Sequence, residues 1–149
     1  MKRKVIVFGS ISIAEADDRE KITGIVRSGE SPKGAVLINV APVSQRQSTQ
    51  IAFAGNPEAV AEALFLVAQK AVELLKLKKK SPRPGVVESA LFIPVQGIAL
   101  GECKLLAKRY VRRLYQELGL PVFYHNYKSY ALYRDFVGLI FERGIAGLM

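Results

Sequence analysis

The stretch AVLINVAPVSQRQSTQIAFA, residues 35–54, decides the architecture. Its first nine residues are apolar and β-branched and predict a strand over Ala35–Val43, with Pro42 marking its end or a sheet edge. Residues 44–48 are polar and too few for anything but a turn. Residues 49–54 then predict a second strand, and so short a connection makes the pair antiparallel. Upstream, residues 5–13 read as a buried strand. A helix begins in the run Glu15-Ala16-Asp17-Asp18-Arg19-Glu20-Lys21, with its acids early, where the helix dipole favours them. Ile22, Ile25 and Val26 form its apolar stripe. Residues 28–34, rich in Ser, Gly and Pro, read as a loop.

Downstream, Asn56 is placed to cap a helix, Pro57 suits its first position and Glu58 suits its dipole. Val60, Leu64, Val67, Ala68 and Ala71 repeat at helical spacing, and Lys76, Lys78, Lys79 and Lys80 gather at the far end. Two prolines stiffen the loop 81–85. Residues 91–98 predict a strand that Pro94 assigns to an edge or a bulge. Residues 102–118 predict an amphipathic helix closed by Gly119. A strand over 121–127 and a last helix over 130–142 follow. Strand–helix alternation with one tight ββ step defines an α/β (α+β) chain. The expected form is a ferredoxin-like two-layer sandwich, a mixed sheet with helices mainly on one face. No linker or repeat interrupts residues 1–149, which read as a single domain. Helices on one face leave the other face of the sheet to be covered by something else.

Composition narrows the chemistry. Half of the 149 residues are apolar and 23% are charged, an ordinary globular balance, and no apolar run approaches a membrane span. The lone Cys103 cannot form an internal disulfide, which fits a cytoplasmic setting, and it falls on an apolar helix face as a buried thiol. His125, the only histidine, stands among Phe123, Tyr124 and Tyr127 and reads as structural. Glu88 and Glu102 have no evident mates, no metal-ligand spacing occurs, and no glycine cluster forms a phosphate loop. The net charge of +9 attracts anions or serves solubility. Lys104, Lys108 and Arg112 recur at i, i+4, i+8, with Arg109 and Arg113 beside them. Without an interleaved aromatic on that face, since Tyr110 points inward, nucleic acid is not expected as a partner.

Four stretches, collinear along the chain, resemble the glutamate formiminotransferase family. They are Gly55-Asn56-Pro57-Glu58-Ala59-Val60, then Pro82-Arg83 with Gly85, then Phe92-Ile93-Pro94 with Gly97 and Glu102-Cys103, then Glu117-Leu118-Gly119-Leu120-Pro121-Val122. Together they are similar to that family's N-terminal subdomain. The resemblance implies transfer of a formimino group between glutamate and tetrahydrofolate, with folate held in a groove between two subdomains. This chain would supply the first of them.

The departures from the family pattern are local. The position of the family's general acid/base histidine is Ser81, whose hydroxyl cannot exchange protons near neutral pH as imidazole does. The polar pattern preceding it is Leu77-Lys78-Lys79-Lys80. The family's Asn-Arg-Thr is Gln47-Ser48-Thr49, and its early Asn-Phe-Ser-Glu-Gly is Ser12-Ile13-Ala14-Glu15-Ala16, keeping only the glutamate. The resemblance therefore implies a fold kept without the original catalysis. No catalytic residue is assigned; Ser81, Pro82, Arg83, Gly85 and Lys80 are the candidate ligand-binding set. Arg83 is either a bidentate anchor for a carboxylate or phosphate, or an exposed loop arginine. Tetrahydrofolate is the possible cofactor, no metal is expected, and the ligand is a folate-type or other anionic small molecule. A homodimer or a separate C-terminal-subdomain partner would complete the groove. The alternatives are an oligomerisation or interaction module that binds no folate, and one half of a split formiminotransferase.

Overall fold

The structure, a computed structural model, describes residues 4–75 and 85–120. The lysine run and loop through residue 84, the expected strand over 121–127 with His125, and the expected helix over 130–142 lie outside the described residues. The elements are β1 (Ile6–Ile13), α1 (Arg19–Gly29), β2 (Ala35–Val43), a 3-10 turn (Ser44–Arg46), β3 (Ser48–Gly55), α2 (Pro57–Leu74), β4 (Val87–Gln96) and α3 (Leu100–Leu118).

The sheet order is β2-β3-β1-β4. This is the ferredoxin-like arrangement that the tight β2–β3 step implies. Among the described strands the sheet is antiparallel at every neighbouring pair, rather than mixed. The reason is that each helical crossover skips a strand, so β1 and β2, and likewise β3 and β4, never become neighbours. Pro94 sits on β4, an edge strand, where its missing N–H breaks no ladder on the outer side.

Local chemistry sets the helix ends. Helix α1 begins at Arg19, within the run Glu15–Lys21, because Asp18 is its N-cap and accepts from the Lys21 amide. The acids before it fold into a turn. Helix α1 also extends to Gly29, into the stretch read as a loop. Asn56 caps α2 by accepting from the amides of Glu58 and Ala59, with Pro57 in the first turn. Gly119 ends α3 in the left-handed conformation at φ 66°.

All three described helices pack on one face of the sheet. Phe53, Ile11, Ile13 and Ile51 from the strands meet Ile25, Val60, Leu64 and Val67 from the helices in one buried cluster. Burying each such side chain contributes about 1.5–3 kcal/mol. At Gly9 the absence of a side chain is required, since a Cβ there would lie 2.5 Å from Val60 Cγ1. Gly9 pairs with Phe92, so both point to the helix side. Phe92 meets the Tyr110 ring edge-to-face at 5.3 Å, and the Tyr110 hydroxyl donates to the Leu64 carbonyl at 3.0 Å. These contacts lock α3 onto β4 and α2.

The opposite sheet face is graded along the strands. One cross-strand row holds Ser89, Ser12 and Gln50, and the next holds Leu91, Ser10 and Ala52. The third holds Ile93, Phe8, Ala54 and Val36. The hydroxyl-bearing end of this face is the end where β1 finishes and where β3 and β4 begin.

Candidate ligand-facing site

Three segments far apart in sequence meet at that end of the sheet. They are the turn after β1, the start of β3, and the entry to β4 at Val86 and Val87. Ile13 pairs with Thr49 on one side and with Val87 on the other. Beyond the ladder, the Ala14 amide donates to the Val86 carbonyl at 2.8 Å. The Thr49 hydroxyl donates to the Glu15 carbonyl at 2.5 Å, and the Ser44 hydroxyl donates to Asp17 Oδ1 at 3.1 Å. The segments that depart from the formiminotransferase pattern, Ser12 to Ala16 around the kept Glu15 and Gln47-Ser48 beside the kept Thr49, are thus neighbours.

Glu15 has a structural task in this junction. Its Oε2 accepts from the amides of Ala16, Asp17 and Asp18 at 3.0, 3.1 and 3.3 Å. Three converging N–H groups hold the turn in place and occupy that oxygen. Thr49 is fully buried and its hydroxyl is committed to the same turn. Gln47 adopts φ 52°, and its side-chain amide donates to the Ser44 carbonyl at 2.7 Å, closing the β2–β3 connection. Polar groups at this junction therefore serve the backbone as much as any ligand.

Of the candidate ligand-binding set, Ser81, Pro82, Arg83 and Lys80 lie outside the described residues. Gly85 is described, and among the described residues a Cβ there would meet only the Val87 carbonyl at 3.8 Å, an ordinary contact. Cys103 is a buried free thiol on α3. Burial, and secondarily the neighbouring Glu102 carboxylate, push its pKa up, which makes it a poor nucleophile. Tyr110 is likewise pushed up by burial, with Arg113 opposing. Among the described residues, no group of His, Cys, Asp and Glu is placed to hold a metal ion, and no helix is long and apolar enough to cross a membrane.

The outer side of α3 differs from its sequence reading. Arg109 and Arg113 are not part of a free basic face. Arg109 pairs with Glu58 at 3.0 Å, and Arg113 pairs with Glu62 and Glu117 while its guanidinium lies 3.7 Å over the Phe65 ring. The hydrogen bond to Glu117 is the main reason that Arg113 holds its proton more firmly than usual, against the effect of burial. Lys104, Lys108 and Arg112 remain exposed and carry no ion pair among the described residues. Tyr115, 66% exposed, stands on the same face, three residues from Arg112 and seven from Lys108. An aromatic side chain does interleave with these cations. The sequence reading missed it by following Tyr110 alone.

Comparison with known proteins places the whole described region. The family described as the formiminotransferase domain, N-terminal subdomain, matches residues 6–136. Formimidoyltransferase-cyclodeaminase of Rattus norvegicus is 32% identical over 118 residues, covering 77% of this chain and 22% of that protein. The enzyme of the same name from Dictyostelium discoideum is 26% identical over 126 residues, covering 83% and 24%. Glutamate formimidoyltransferase of Streptococcus pyogenes is 25% identical over 118 residues, covering 77% and 40%. The chain thus spans between about a fifth and two fifths of the length of these curated relatives.

Proposed function

Because the chain belongs to the formiminotransferase family, as its N-terminal subdomain, we propose that it acts in folate-linked one-carbon metabolism as a binding protein that does not transfer formimino groups by itself. The carrying observation is the meeting of the altered clusters at one end of the sheet. Ile13 pairs with Thr49, so the changes at 12–14 and 16 and those at 47 and 48 fall around one end of the sheet rather than at two unrelated places.

Transfer of a formimino group needs a proton carrier poised near neutral pH. Serine at position 81 does not supply one. The glutamate retained from the family pattern does not replace it, since Glu15 Oε2 is taken up by three backbone amides. What the site keeps is suited to binding. Arg83 and Lys80 supply positive charge for a glutamate-type carboxylate.

The chain spans only part of its relatives, which favours a second reading beside this one. The groove is completed by a C-terminal subdomain, by a separate chain, or by a second copy in a homodimer. In that reading the protein is one half of an active transferase or a docking module. Calorimetric titration with tetrahydrofolate and formiminoglutamate, followed by a transfer assay on the same sample, separates them. The binding reading predicts heat with tetrahydrofolate and no transfer. No heat up to about millimolar ligand, a binding free energy weaker than about 4 kcal/mol, sinks it. Turnover by the unaided chain sinks the claim of lost catalysis.

A further inference from the structure

We propose that the outer face of α3, formed by Lys104, Lys108, Arg112 and Tyr115, binds single-stranded nucleic acid. The three cations recur every four residues, so they stand about 6 Å apart along the helix axis, a regular row of positive charge. They carry no ion pair among the described residues, although the same helix pairs Arg109 and Arg113 with carboxylates of α2 and with Glu117. The helix thus divides its basic residues in two: one set docks α3 onto α2, and the other faces outward without a carboxylate partner.

A solvated basic face needs no aromatic residue. Tyr115 at 66% exposure, with Leu105 at 59% beside the row, presents a flat ring where charge alone would serve solubility better. A row of cations with an interleaved exposed ring is the pairing that holds a single strand, the cations tracking its phosphates and the ring stacking on a base. The net charge of +9 adds long-range attraction for the same polyanion. An anionic membrane fits less well, because the apolar part of the face is three separate side chains, Leu100, Leu105 and Tyr115, rather than a continuous stripe. Nothing in this inference depends on folate binding, and its test uses neither folate nor transfer.

The test is fluorescence anisotropy of labelled oligouridylate and oligothymidylate of about 12 nucleotides, within the usual span of a single-strand site, titrated with the protein at several salt concentrations. The expected result is binding that weakens steeply with salt. Replacing Lys104, Lys108 and Arg112 together by alanine should lower the slope of log affinity against log salt by about 2, at roughly 0.7 for each phosphate no longer neutralised. Tyr115→Ala should weaken binding by about tenfold with the slope unchanged, and Tyr115→Phe should restore it, because stacking needs the ring and not the hydroxyl. All four positions are exposed, and circular dichroism of each variant is the check that it keeps its fold. Absence of binding at low salt overturns the proposal. So does a triple variant that binds as well as wild type. Equal affinity for a polyglutamate peptide, with no loss in Tyr115→Ala, assigns the face to any polyanion and overturns it too. Binding to anionic vesicles but not to oligonucleotides does the same.

Discussion

Glu15 shows how a side chain kept from the family pattern can serve the backbone. Its carboxylate gathers three amides of the turn before α1, and the Thr49 hydroxyl bonds its carbonyl from β3. Glu15→Ala leaves those amides without their acceptor and should destabilise the fold by about 1–3 kcal/mol, read from chemical denaturation. Thr49→Val keeps the shape and removes one bond, and should cost about 1 kcal/mol. The role of Glu15 was not legible in the sequence. A lone acid in an acidic run shows neither which amides it faces nor that Thr49 lies against it. Cys103 gives a prediction with a definite sign. Its thiol is pushed up by burial, so the folded state holds a proton that the unfolded state releases above about pH 8.5. Stability is therefore fully present below that pH and falls as pH rises toward the folded-state value. Tyr110 should add to the fall above about pH 10, since burial pushes it up as well. A melting series from pH 7 to 11 checks this (values chosen to bracket the roughly 8.5 and 10 of the free groups). Cys103→Ala should flatten the first part of the decline.

At the scale of elements, α3 is held by a small number of directional contacts to α2. The Tyr110 hydroxyl bond to Leu64, the Arg113 contacts with Glu62 and Phe65, and the Arg109–Glu58 pair lie along one seam. They are not equivalent. Arg109 and Glu58 are more than half exposed, so Arg109→Ala should change stability by less than about 1 kcal/mol. Arg113 adds a ring face to its two carboxylates, and Arg113→Ala should cost about 1–2 kcal/mol. Arg113→Lys should recover only part of that loss, because lysine lacks the planar fork. Equal losses at Arg109 and Arg113 in thermal melts would contradict this ranking. The elements themselves were largely readable. Asn56-Pro57-Glu58 marked the start of α2, Gly119 the end of α3, and Pro94 an edge strand, because each acts through its own backbone. The start of β4 was missed by four residues. Val87 to Ala90 became strand through pairing with β1, a partner distant in sequence. Tyr115 was missed for a related reason. Its place on the outer face follows from how the whole helix is rotated against α2, which Tyr110 and Leu114 decide by burial.

For the whole molecule, the order β2-β3-β1-β4 places helices on one side and a graded face on the other, and brings the altered clusters to one end. The frame was legible because close packing preserves it. Gly9 beneath Val60 is an example, and Gly9→Val should prevent α2 from seating and cost about 3 kcal/mol or more. The site was legible only as a set of substitutions until the fold brought residues 12–16 and 47–49 together. That adjacency makes the central claim, that catalysis was lost across one site and not at one residue, open to direct test. The measurement is single-turnover formation of formiminotetrahydrofolate from formiminoglutamate by Ser81→His beside the wild-type chain. The account predicts no product from either protein, since a restored imidazole would leave the changes at 12–14, 16, 47 and 48 in place. Turnover by Ser81→His would contradict it, and would show that a single missing proton carrier was the whole of the loss.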